Sequence, residues 1–104
     1  MSDDSYLPEP SYTLNLTQDG GGEVHLHLDL AGVDRLIESL SYIKNSLNKN
    51  QCEHDHLFTP DWGGSELSNK NTIVADGHSL VHHLKIYGWT EEWAKKHGFK
   101  DNNA

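Results

Sequence analysis

Two short runs of alternating residues flank a glycine-rich link, and this pairing constrains the fold more than any other feature of the chain. In Tyr12–Thr17, Tyr12, Leu14 and Leu16 alternate with Thr13, Asn15 and Thr17. In Glu23–Leu30, Val24, Leu26, Leu28 and Leu30 alternate with His25, His27 and Asp29. A period of two is that of a half-buried strand, and Asp19-Gly20-Gly21-Gly22 offers the positive-φ positions of a turn. The two runs therefore read as a β-hairpin with an aliphatic face and a histidine-bearing face. The period then changes. Val33, Leu36, Ile37, Leu40, Ile43 and Leu47 fall at helical spacing, with Asp34, Arg35, Glu38 and Lys44 elsewhere. One amphipathic helix over about Val33–Leu47 is expected to lay its stripe on the hairpin's Leu/Val face.

Further along, Glu53–Thr59 reads as a third strand, closed by Pro60, which cannot donate to a ladder. Thr72–Ala75 offers a short strand before a turn at Asp76-Gly77. His78–Tyr87 alternates as a last strand, with Leu80, Leu84 and Ile86 on one face and Val81, His83, Lys85 and Tyr87 on the other. Thr90 has the type of an N-cap, Glu91 and Glu92 suit the positive end of a short helix, and Gly98 suits its stop. The expected class is α+β: an antiparallel sheet of four to five strands with one main amphipathic helix and a short C-terminal helix packed on it. At 104 residues a single domain is expected. Its ordered core spans about 11–99, with flexible ends that offer little to bury.

Charge bears on partners. Sixteen acids oppose eight Lys and Arg, for a net charge of −8. The imbalance is local: residues 1–61 hold eleven acids and three bases, whereas 62–104 are neutral. An anionic surface repels nucleic acid and anionic membrane and speeds encounter with a cationic partner; it also serves plain solubility. Cys52 is the only cysteine, which excludes an intramolecular disulfide and suits a reducing compartment. With no signal-peptide pattern at the N-terminus and no apolar run of about 20 residues, a cytoplasmic location is expected.

Eight histidines are the compositional anomaly. His25 and His27 share one strand face, and Cys52, His54 and His56 would share one face of another. If those strands pair, the five residues converge as ligands of a metal, the alternative reading being a small histidine-rich metal-binding protein or metalloenzyme. Structural zinc sites usually draw paired ligands from turns, and with a single cysteine no C-x2-C pair occurs here. The plainer reading puts these rings on a solvated sheet face. His82-His83 lies within an alternating run, so its rings leave on opposite sides. No G-x-S-x-G elbow, phosphate-binding loop, dinucleotide fingerprint or His-Glu-x-x-His is present. Cys52 has the type of a thiol nucleophile, but a lone strand-edge cysteine is more often a small packed residue. Neither an enzyme nor a cofactor is expected.

The most singular stretch is Leu57-Phe58-Thr59-Pro60-Asp61-Trp62-Gly63-Gly64-Ser65-Glu66-Leu67-Ser68. A Trp among acids on a glycine-shaped loop serves either as an aromatic anchor with a carboxylate rim or as a lid on the core. This segment resembles the immunity protein 32 family of bacterial polymorphic-toxin systems. The resemblance rests on His56-Leu57, Thr59-Pro60, Trp62-Gly63-Gly64 and Glu66-Leu67, with the strand and helix of Glu23–Leu47 and the Leu80–Tyr87 strand similar in pattern, covering about residues 23–87. It implies an immunity protein that binds and neutralises a cognate toxin domain, many such toxins being nucleases, in contact-dependent inhibition or a related delivery system. It brings no catalytic residues. A nuclease presents cationic groups to phosphate, so the expected mechanism is coverage of that basic surface. Asp29, Asp55, Asp61 and Glu66 are the candidate contacts and Trp62 the anchor.

Overall fold

The computed structural model describes residues 10–69 and 74–100. The order is β1 (Leu14–Gln18), β2 (Val24–Leu28), α1 (Leu30–Asn48), β3 (Glu53–Phe58), a 3-10 turn (Pro60–Trp62), β4 (Ser79–Leu80), β5 (His83–Gly88) and α2 (Glu91–Lys96). The class is α+β and all pairing is antiparallel, in a three-stranded sheet β2-β1-β4 and a two-stranded sheet β3-β5. The expected hairpin forms in register, Leu14 opposite Leu28, Leu16 opposite Leu26 and Thr17 opposite His25. Val81 N–H donates to Leu16 O (2.8 Å) and Thr59 N–H to His82 O (3.0 Å), so residues 81–82 carry the chain from one sheet to the other.

That crossover corrects one expectation. His78–Tyr87 is two strands broken at Val81-His82, not one. The break shifts the phase of alternation, and Val81 joins Leu84 and Ile86 against the core, which centres on Leu14, Leu16, Leu57 and Leu67. Of the expected Thr72–Ala75 strand, Val74 and Ala75 lie outside any element, and Thr72 and Ile73 fall outside the described residues. Of the expected flexible ends, 1–10 and 100–104, all but Pro10 and Lys100 also lie outside them.

Helix α1 begins three residues earlier than its apolar spacing suggests, because Asp29 caps it. The Asp29 carboxylate accepts from Gly32 N (2.7 Å) and from Thr13 N (2.9 Å). One side chain thus satisfies a free helix-end donor and ties α1 to the strand beneath it. The helix ends as Asn50 turns into the left-handed region (φ 59°), which asparagine tolerates. Leu36, Ser39 and Ile43 face inward. The hairpin's aliphatic face is only half covered, contrary to expectation. Leu14 and Leu16 are buried, whereas their cross-strand partners Leu28 and Leu26 remain open, as does Val24 further along β2 (58% exposed). On α1, Leu30, Val33, Ile37 and Leu40 are exposed as well. Helix α2 forms as expected, Thr90 Oγ1 accepting from Trp93 N (3.1 Å). Among the described residues, no helix is long and apolar enough to cross a membrane.

Candidate functional site

Strand β3 ends at Phe58, and the next residues turn tightly because each has the right constraint. Thr59 is extended, as a residue before proline prefers. Its N–H and hydroxyl both engage His82, at the backbone carbonyl (3.0 Å) and at Nδ1 (2.7 Å). Pro60 opens the 3-10 turn, where its missing N–H costs nothing. Gly63 closes it at φ 88°, a left-handed conformation that suits glycine. Gly64 N–H returns to Thr59 O (3.0 Å). A Cβ on Gly64 would fall 2.3 Å from Phe58 Cβ, so the loop closes this tightly only with glycine there.

The rest of the motif anchors the loop. The Glu66 carboxylate accepts from Phe58 N (3.0 Å), and Tyr12 OH donates to Glu66 O (2.8 Å). Leu67 is fully buried in the core. Ser68 bridges to β1 twice, its N–H donating to Leu14 O (2.9 Å) and its Oγ accepting from Leu14 N (2.9 Å). The Gly-Gly-x-Glu-Leu portion is therefore scaffold, and what it presents is Trp62. The indole is 60% exposed and lies flat on the His82 ring, centroids 5.4 Å apart and planes 7° from parallel. Of the two sequence readings of this tryptophan, the core lid is excluded. Asp61, also exposed, accepts from Asn69 Nδ2.

The other candidate contacts are dispersed. Asp29 is taken up by its cap, and its backbone donors Thr13 and Gly32 hold its pKa below the ordinary 3.8. Glu66 is taken up by Phe58 N. Asp55 is half-buried on β3, where it borders a groove with Arg35, Glu38, Ser39 and Tyr42. The structure joins only Asp61 and Trp62 into one surface. The missed member is His82, the platform beneath the indole; only its aromatic type was visible in the sequence, because its neighbour lies twenty residues away.

The histidine clusters do not converge as the metal reading requires. β2 pairs with β1 and β3 with β5, so His25 and His27 lie in one sheet and His54 and His56 in the other. Cys52 is exposed, its Sγ 4.0 Å from Thr90 Oγ1. On the β3–β5 face, His56 Nδ1 stands 2.9 Å from His83 Nε2, with Phe58 stacked on His83 at 4.2 Å between centroids. A surface groove of about 270 Å³ beside Tyr87, Trp89 and Ala94 is below the roughly 300–1,000 Å³ of a small-molecule pocket. Comparison with known protein families, with curated proteins and with solved structures finds no match.

Proposed function

We propose that this chain is an immunity protein that binds and neutralises a cognate toxin domain, a nuclease, by covering its cationic surface. The observation that carries the reading is Trp62, an exposed indole clamped on His82 at the tip of a hydrogen-bonded turn, with Asp61 beside it. A rigid aromatic loses little rotamer freedom on binding, and Trp is enriched among residues that dominate interface energies. A carboxylate at its rim suits a basic partner. The net charge of −8 supports the same polarity of recognition. The exposed aliphatic side chains of β2 and α1 support a protein partner more generally, since apolar surface left open on a folded domain often serves interaction.

Co-expression tests the reading. Cells producing the toxin domain encoded beside this chain's gene should regain growth when the chain is present, and the two proteins should co-purify. Trp62→Ala should weaken the complex by about 2 kcal/mol, roughly thirtyfold in Kd, as a hot-spot residue does. Toxicity undiminished by the folded wild-type chain would reject the proposal.

A further inference from the structure

The turn joining β1 to β2 brings together three groups that the toxin-binding reading does not use. Asp19 Oδ1 accepts from Gly21 N (2.7 Å) and Glu23 N (3.0 Å), which fixes the backbone of Glu23. Glu23 Oε1 then lies 3.1 Å from His25 Nε2 on β2 and 3.1 Å from His78 Nε2 on the turn before β4. The two imidazoles stack, centroids 4.1 Å apart and planes 26° from parallel, so both Nε2 atoms meet the same carboxylate oxygen. All three atoms lie within 4.8 Å of one another.

We propose that Glu23, His25 and His78 bind a divalent transition-metal ion of the zinc class. Ligand atoms held about 2.0–2.1 Å from such an ion stand roughly 2.9–3.4 Å apart between octahedral and tetrahedral angles. The two observed separations lie in that range. Two imidazoles and one carboxylate suit zinc, nickel or cobalt, whereas magnesium and calcium prefer all-oxygen shells. The site has an outer support as well. The His78 side chain is only 4% exposed, and its Nδ1 lies 3.0 Å from the hydroxyl of fully buried Thr17. A metal-bound His78 carries its proton on Nδ1 and donates it to Thr17 Oγ1; without metal, Nε2–H donates to Glu23 and the hydroxyl donates to Nδ1. A hydroxyl serves both tautomers. His25 and Glu23 are exposed enough, at 35% and 62% of their side chains, to leave the ion's remaining positions to water. On the same strand His27 keeps a buried Nε2 without a hydrogen-bond partner, its ring centroid 6.1 Å from that of His25. The neighbourhood thus holds one more nitrogen donor than its protein contacts use.

Calorimetric titration of the full chain, made without a polyhistidine tag, with zinc alone and with cobalt alone tests the site. One ion per chain is expected, with visible ligand-field absorption from the cobalt complex. His25→Ala, on the partly exposed side chain, and Glu23→Gln should each weaken binding at least tenfold, with Thr17→Val weakening it about tenfold. His54→Ala and His56→Ala, on the other sheet, should leave it unchanged. Absence of stoichiometric binding, or equal losses from the β3 variants, overturns the assignment. The test needs no toxin, so it stands or falls apart from the proposed function.

Discussion

Gly32 lies in the first turn of α1, pressed against β1. A Cβ built there would stand 1.7 Å from Thr13 O, a backbone atom that no rotamer change can move aside. Helix propensity alone predicts that Gly→Ala gains about 1 kcal/mol. Here the steric conflict reverses the sign, because α1 must lift from the strand and loosen the Asp29 cap that depends on its position. Gly32→Ala should cost about 2 kcal/mol net, lowering Tm by roughly 10 °C in thermal unfolding followed by circular dichroism. An unchanged or raised Tm would show that the helix start is free to shift. Glu66 makes the complementary point about legibility. Its charge is visible in the sequence and suggests a rim carboxylate, yet its oxygen closes the end of β3 by accepting from Phe58 N. Residue type was readable at these positions; role was not, because role depends on which backbone donor the loop brings near.

At the scale of elements, the parts readable in advance were those specified by local chemistry. The hairpin follows from alternation around Asp19-Gly20-Gly21-Gly22, and α2 from Thr90, its two glutamates and Gly98. What escaped were facts set by distant pairing, namely the break at Val81-His82 and the uncovered half of the hairpin. Alternation says which residues share a face but not what covers it. The β3–β5 ribbon adds a pH response of the same non-local kind. Desolvation, then the positive Lys85 and the neighbouring His54 and His83, hold His56 below the ordinary imidazole value of 6.5, with Asp55 opposing. A base whose folded pKa is depressed takes up its proton more readily in the unfolded chain. Its contribution is therefore fully present above pH 6.5 and is lost as pH falls from there through the lower folded value. Urea unfolding at pH values on either side of that window should show the wild-type chain losing more stability on acidification than His56→Gln. Identical losses would show that the His56–His83 contact is proton-indifferent.

For the whole molecule, the surface splits recognition into two terms with different reach. The excess of acids over bases lies entirely within residues 1–61, which include the hairpin, α1, β3 and Asp61 at the tip of the Trp62 turn. A field of that kind acts across about a Debye length, roughly 10 Å at 0.1 M salt, and so guides approach. The Trp62 ring acts only on contact. These ranges separate in kinetics, since rim charges mainly alter association and desolvated anchors mainly alter dissociation. With the cognate toxin domain immobilised, wild-type association should slow about tenfold or more as salt rises from low concentration towards ~0.5 M. Asp61→Lys should associate several-fold more slowly at low salt, with the difference vanishing at high salt. Trp62→Ala should associate at nearly the wild-type rate at every salt concentration and dissociate faster throughout. A wild-type association rate indifferent to salt would remove charge from the mechanism, leaving contact at the turn and the exposed aliphatic side chains of β2 and α1 as the source of affinity.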